Sequence, residues 1–160
     1  MEECPGADAA ADRAAALLAE AIVGAIASGR RAAWAISGGH SAAAMFECLA
    51  AHDIAWAEVD TWQVDERVAP AGDPDRNLTL QLRALPAGAT RALRPMPVEE
   101  GDLDGAANRY AAELPSNFDV VHLGLGADGH TASLVPGDPI LDVPDRTVGV
   151  TGPYEGRRRM

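Results

Sequence analysis

The hydrophobic positions of the chain alternate between helical spacing and short continuous apolar runs. Residues 8–28 are rich in alanine, place leucine and isoleucine on one helical face and end at Gly29, which predicts a packed helix. Residues 32–36 form an apolar run typical of a buried strand, and residues 41–51 return to helical spacing. A strand, a glycine turn and a helix are therefore expected in succession from residue 32.

The same alternation continues to the end of the sequence. It predicts a strand at residues 54–65, a helix at 77–85 and an edge strand at 93–97. A helix capped by its first residue is expected at 104–114, a strand at 120–125 and a weak strand at 147–151. The prolines of residues 93–97 favour a sheet edge, because proline donates no backbone hydrogen bond. The pattern favours an α/β fold, with a mostly parallel sheet and helices on both faces, in one domain over residues 1–160.

Charge and composition argue against several classes of function. The net charge of −11 disfavours nucleic acid and anionic membranes as partners. All 13 basic residues are arginine, so the chain has no Schiff-base or P-loop lysine, but arginine is well suited to phosphate. Cys4 and Cys48 lack metal-ligand spacing and are expected to be free thiols. Neither a signal segment nor a long apolar span occurs, so a cytoplasmic protein is expected.

Residues 118–134 combine an apolar run with glycines and polar side chains. Three glycines follow the expected strand, at Gly124, Gly126 and Gly129. Asp128 and His130 flank the last of them. Glycine lets backbone N–H groups approach a ligand, and a carboxylate beside an imidazole is typical of an active site.

The spacing of these glycines also matches the fingerprint of dinucleotide-binding proteins. That motif requires a long helix after its third glycine and normally belongs to the first strand–helix unit of a domain. Here Pro136 and Pro139 interrupt any such helix, and the glycines lie late in the chain. The match is therefore interpreted as a coincidence, and no nicotinamide cofactor is expected.

Two earlier strand ends carry polar residues of a similar kind. Residues 37–39 lead into a helix that includes Ser41, which either presents backbone N–H groups to an anion or forms a plain turn capped by Ser41. Residues 65–67 follow the second strand, with Asn77 in the next loop. They are either a solvated strand end or part of a site. The site is favoured because ligands of parallel α/β sheets bind at that end of the strands.

These segments together resemble the 6-phosphogluconolactonases. The resemblance rests on SGG at residues 37–39, on DERVAP at residues 65–70 followed by Asn77, and on FDVVHLGLGADGHTASLVPG at residues 118–137. It extends over nearly the whole chain and implies the Rossmann-like fold of the sugar-phosphate isomerases and CoA transferases. The sequence departs from the family pattern in residues 40–42, where relatives continue with serine or threonine and then proline. It departs again at Arg76, where many relatives have serine.

The resemblance implies hydrolysis of 6-phosphogluconolactone to 6-phosphogluconate in the oxidative pentose phosphate pathway, without metal or cofactor. His130 is the expected general base and Asp128 its orienting partner, while Arg67 is expected to hold the phosphate. Glycine-loop amides, or Arg67, would stabilise the oxyanion, and Asp65 and Glu66 would bind hydroxyls or position Arg67. The expected substrate-binding residues are Ser37, Gly38, Gly39, Ser41, Asp65, Glu66, Arg67, Asn77, Gly126 and Gly129.

Two other functions stay open at this point. The superfamily also contains glucosamine-6-phosphate deaminase, although residues 131–134 differ from the aromatic and acidic residues expected there. A sugar-phosphate binder without catalysis is the second. Relatives continue beyond Arg159 with more sheet and a further basic residue for the phosphate, so we expect this chain to lack the C-terminal part of the family fold. An exposed sheet edge, self-association and weak activity would follow. The only partner expected is the phosphosugar lactone, and the oligomeric state is open.

Overall fold

A computed structural model describes residues 2–160. Its helices and strands alternate along most of the chain, as the sequence predicts. In order they are α1 (Ala7–Ala27), β1 (Ala32–Ile36), α2 (His40–Cys48), β2 (Val59–Gln63), α3 (Asn77–Ala84), α4 (Ala87–Arg91), β3 (Leu93–Arg94), α5 (Leu103–Glu113) and β4 (Val120–His122). Short 3-10 helices cover Leu49–Ala51, Trp56–Glu58 and Pro139–Asp142.

The four strands form one parallel sheet in the order β3-β2-β1-β4. In its register Trp34 of the central β1 lies beside Thr61 of β2 and Val120 of β4. Because the strands are parallel, the segments that follow β1, β2 and β4 emerge side by side at one end of the sheet. This confirms the predicted parallel α/β fold.

Buried side chains cover both faces of the sheet. On one face, Trp34 packs with residues of α1 and α2, including Ile22 and Phe46. On the other face, Trp62 packs against Tyr110 of α5. The alternation of a strand sends neighbouring residues to opposite faces, so β1 and β2 each contribute to both clusters. Helices on both faces are thus confirmed.

Four predicted elements differ from the structure. Only residues 59–63 of the second predicted strand are extended, because the 3-10 helix before them packs Trp56 against Trp34 at 5.8 Å between ring centroids. The last long strand ends at His122, before the glycine-rich turn. Residues 147–151 form no strand: the backbone N–H of Thr151 donates to the carbonyl of Arg159 instead (2.9 Å). Asp102, not the predicted Asp104, caps α5 by accepting from Gly105 N (2.9 Å).

The two outer strands are short. The predicted edge position of residues 93–97 is confirmed, but only Leu93–Arg94 pair there. Val121 and the following Leu123 and Leu125 are exposed along the outer side of β4. Among the helices of residues 2–160, none has the combined length and hydrophobicity that crossing a bilayer requires.

Candidate active site

The segments that follow β1, β2 and β4 enclose a polar cleft of about 180 Å³. It is lined by Ser37, Gly38, Gly39, Ser41, Asp65, Arg67, Asn77, Gly124, Leu125, Gly126, His130, Ala132 and Arg159. A neighbouring cavity of about 280 Å³ shares Gly39, Arg67, Asn77 and Arg159 with it and extends to residues 154–157. The structure therefore brings the three polar segments together at the end of the sheet where they were expected.

His130 and Asp128 form a close pair on one wall of the cleft. Nδ1 of His130 lies 2.5 Å from Oδ1 of Asp128, and the same oxygen accepts from His130 N at 3.3 Å. Hydrogen bonds from His130 lower the pKa of Asp128 to about 2, so this carboxylate is charged at neutral pH. With Nδ1 directed at Asp128, Nε2 is the ring nitrogen left for a substrate or water.

The turn that carries this pair is too tight for a side chain at Gly126. A Cβ there would collide with the His130 ring and with Oδ1 of Asp128. Two backbone hydrogen bonds close the turn, from Gly126 N to His130 O (2.8 Å) and from Gly129 N to Gly126 O (3.0 Å). Gly126 thus makes room for the imidazole, whereas Gly129, with a φ of +88°, shapes the turn and does not line the cleft.

Asp65 joins the three segments at the floor of the cleft. It is 4% exposed. Its Oδ1 accepts from the hydroxyl of Ser37 (2.8 Å) and the amide of Asn77 (3.2 Å), and its Oδ2 accepts from the hydroxyl of Ser133 (2.7 Å). The three segments therefore meet at one carboxylate.

Glu66 is fully buried and supports the site from below. Its two oxygens accept from the backbone N–H groups of Arg67 (2.7 Å), Asn77 (2.8 Å) and Leu78 (2.8 Å). Nε of the buried Arg76 lies 3.1 Å from Oε2. Glu66 does not line the cleft, and its oxygens are occupied by these partners. Of the two roles expected for it, this geometry favours the positioning of the Arg67 backbone over contact with the substrate.

Arg67 and Arg159 form the basic part of the cleft. Their backbones pair in an isolated antiparallel bridge. Arg67 donates to the side-chain oxygen of Asn77, and no ion pair with a carboxylate is found for it among residues 2–160. Arg159 donates to Glu155 (3.0 Å), but its buried Nε has no hydrogen-bond partner within the described part of the chain. Each guanidinium group therefore has N–H donors left for an incoming anion.

Arg159 lines the cleft but was not among the residues expected there from the sequence. The residue lies at the end of the run Arg157-Arg158-Arg159, in a chain whose net charge is −11. A cluster of basic residues in so acidic a chain was an available signal. Its place beside Arg67 depends on the pairing of residues 158–160 with residues 66–68, which no local pattern predicts.

The glycine loop after β1 approaches Asn77 closely. A Cβ at Gly38 would collide with the Asn77 side chain, whose nitrogen donates to the carbonyl of Asp65 (2.9 Å). The N-cap of α2 is Gly39 and no side chain caps this end, so the interpretation of Ser41 as N-cap is wrong. Gly39 and Ser41 instead line the cleft at the start of α2, where helix N–H groups lack partners. Among residues 2–160, no cluster of three metal-ligating side chains is present.

Comparisons with known proteins identify similar sequences and similar folds. The model of the family described as "Glucosamine-6-phosphate isomerases/6-phosphogluconolactonase" matches residues 5–160. The chain is 39% identical to the 6-phosphogluconolactonase of Streptomyces coelicolor over 89% of this chain and 63% of that protein. It is 39% identical to the human GDH/6PGL endoplasmic bifunctional protein over 79% of this chain and 18% of that protein. The structure of a 6-phosphogluconolactonase from Shewanella baltica superposes with a TM-score of 0.84, at 25% identity, over 96% of this chain and 70% of that one.

Proposed function

The chain belongs to the glucosamine-6-phosphate isomerase/6-phosphogluconolactonase family, and we propose that it hydrolyses 6-phosphogluconolactone to 6-phosphogluconate. One observation carries the proposal: His130, which is paired with Asp128, lines the same cleft as Arg67 and Arg159. An imidazole that can take a proton and a basic pocket that can hold a phosphate are the two features that this substrate needs. The names of the similar proteins support the choice of substrate.

In the proposed reaction His130 acts as general base. Its Nε2 takes a proton from water as the water oxygen bonds to the lactone carbonyl carbon. Asp128 stabilises the imidazolium that forms, because its charged carboxylate accepts from Nδ1–H. When the ring C–O bond breaks, the imidazolium returns the proton to the leaving ring oxygen, which becomes a hydroxyl. A base positioned in this way typically accelerates a reaction by about 10²–10⁴-fold.

Arg67 and Arg159 are proposed to hold the phosphate. The guanidinium fork matches the geometry of phosphate oxygens, and partial burial strengthens the attraction. Backbone N–H groups of residues 38–41 at the start of α2 add donors for the phosphate or for the oxyanion. Asp65 is proposed to bind a sugar hydroxyl with the lone pairs that Ser37 and Ser133 leave free. No step requires a metal.

The proposal includes the pathway and the compartment in which the reaction takes place. The reaction would supply 6-phosphogluconate to the oxidative pentose phosphate pathway in the cytoplasm. The chain spans 63% of the length of the Streptomyces relative, so the activity of the whole protein is proposed from the residues present here.

The test measures 6-phosphogluconate release from the freshly generated lactone, with spontaneous hydrolysis subtracted. We expect His130→Ala to lower kcat by about 10²-fold or more with little change in KM, because the base is lost and the phosphate contacts remain. His52→Ala, a histidine outside the cleft, is the matched control and should retain full activity. Normal turnover by folded His130→Ala would remove this residue from the mechanism.

The same protein distinguishes the two alternative functions. Ammonia release from glucosamine 6-phosphate would indicate a deaminase. Thermal stabilisation by 6-phosphogluconate without any lactone hydrolysis would indicate a sugar-phosphate binder. Either result would overturn the proposed function.

A further inference from the structure

We propose that Tyr154 is a positioning residue for the base, which fixes the Asp128 carboxylate and packs on the His130 ring. The inference rests on the proposed function for its catalytic meaning. The hydroxyl of Tyr154 donates to Oδ2 of Asp128 at 3.0 Å, and the centroids of the Tyr154 and His130 rings are 5.4 Å apart. Tyr154 thus contacts both members of the pair without lining the cleft that holds them.

The hydroxyl of Tyr154 fixes the orientation of the Asp128 carboxylate. Asp128 is 43% exposed on a glycine-rich turn, so its two oxygens could exchange positions in water. In the structure each oxygen has its own partner, His130 for Oδ1 and Tyr154 for Oδ2. A carboxylate held at both oxygens keeps Nδ1 bonded and Nε2 free, which is the tautomer and orientation that a base requires.

A two-residue turn holds Tyr154 in place. Tyr154 N donates to Arg157 O (2.9 Å), Arg157 N donates to Tyr154 O (3.2 Å), and the turn residues Glu155 and Gly156 have φ of +50° and +80°. Positive φ at both positions is typical of the tight turn that connects a hairpin. The side chain of Arg157 forms ion pairs with Asp73 (3.0 Å) and Asp75 (3.2 Å) in the loop after β2. This 154–157 hairpin is therefore anchored at one end and supports Asp128 at the other.

Tyr154 also contacts the basic half of the cleft. The guanidinium carbon of Arg159 lies 4.7 Å from the centroid of its ring. The hydroxyl therefore serves the base, and the ring faces the proposed phosphate-binding arginine. This division predicts different kinetic effects for the loss of the hydroxyl and the loss of the ring.

The first test reads the tautomer of His130 by 15N NMR at neutral pH and needs no turnover. Removing the hydroxyl in Tyr154→Phe frees Oδ2 of Asp128, so the carboxylate can rotate, and the 15N shifts of the His130 ring should move from those of an Nδ1–H tautomer towards a mixture of the two tautomers. The other charged groups around this pair are Asp65, Arg67, Arg159 and Glu155, and the substitution changes none of them. Tyr110→Phe, the only other tyrosine, removes a hydroxyl that bonds Gln63 on the far face of the sheet and should leave these shifts unchanged.

The second test separates kcat from KM. Tyr154→Phe should lower kcat by about 3–10-fold with KM within about twofold, because the ring still faces Arg159. Tyr154→Ala should lower kcat as far and raise KM as well. Unchanged 15N shifts of the His130 ring in folded Tyr154→Phe would overturn the positioning role, whatever the activity. Changed shifts in a chain that hydrolyses no lactone would uphold that role and refute only the proposed function.

Discussion

Two arginines of the cleft, Arg67 and Arg159, differ in how their charge is balanced. Arg159 has Glu155 and the Tyr154 ring as partners, whereas the hydrogen bond found for the Arg67 side chain goes to the neutral amide of Asn77. A guanidinium without a carboxylate keeps more of its attraction for an incoming anion. In a chain with a net charge of −11, this local balance favours the proposed anionic substrate at the cleft.

Arg67→Lys tests the anion contact at the scale of one residue. Lysine keeps the charge but loses the planar fork, so KM for 6-phosphogluconolactone should rise by about tenfold. KM for the unphosphorylated lactone should change little. Arg83→Lys, on the exposed face of α3, is the matched control. An equal loss on both lactones would show that Arg67 does not bind phosphate.

Short turns and one helix end carry most of the site at the scale of elements. Glu66, which follows β2, accepts from the first N–H groups of α3 and so joins this helix to the sheet. The turn from Gly126 to His130 brings its two ends within hydrogen-bond distance. The polar side chains are therefore placed by backbone geometry that a single added methyl group can disturb.

Gly126→Ala tests that placement. Its Cβ would collide with the imidazole, so kcat should fall by about 10-fold or more as His130 moves, while the unfolding transition stays near that of the wild type. Gly124→Ala lies two residues earlier in the same segment, and a Cβ there meets no atom within 4 Å. It should therefore retain activity. Equal activities of the two variants in the lactonase assay would contradict the conclusion that the His130 ring needs a glycine at position 126.

Two buried clusters hold the whole molecule together, and His122 lies at the end of β4 beside the first. Its ring packs edge-on against Phe46 at 6.0 Å between ring centroids, and its buried Nδ1 has no hydrogen-bond partner among residues 2–160 as described. Burial lowers the pKa of His122 below 6.5, against a weaker opposing effect of the Asp65 charge. The folded molecule therefore keeps this imidazole neutral at a pH where the unfolded chain would protonate it.

The stability of the molecule should depend on pH for this reason. Because the unfolded state binds the proton more readily, the free energy of unfolding should fall as pH decreases from about 7 through 6.5 towards the lower folded pKa. His122→Leu should flatten this dependence, which urea unfolding at pH 7.5, 6.5 and 5.5 would measure. His52→Leu should leave the slope in place, because His122 is still present. A slope that persists in His122→Leu would assign the effect to another group.

Local patterns determined a large part of this protein. Helical spacing and apolar runs predicted α1, β1 and α2 within a few residues, because buried faces impose their periods on the sequence. The order of strands and helices determined a parallel sheet, and such a sheet places the ends of β1, β2 and β4 together. The cleft and the His130–Asp128 pair were predictable for that reason.

Only the tertiary structure decided what each polar side chain does there. Glu66 and Arg67 are neighbours in sequence, yet one is buried beneath the helix end of α3 and the other lines the cleft. Arg159 and Tyr154 reach the site because residues 158–160 pair with residues 66–68, across about ninety positions of sequence. Residues 147–151 form no strand although their composition allows one. Long-range pairing depends on which backbone partners the rest of the fold leaves available, and a local pattern contains no record of them.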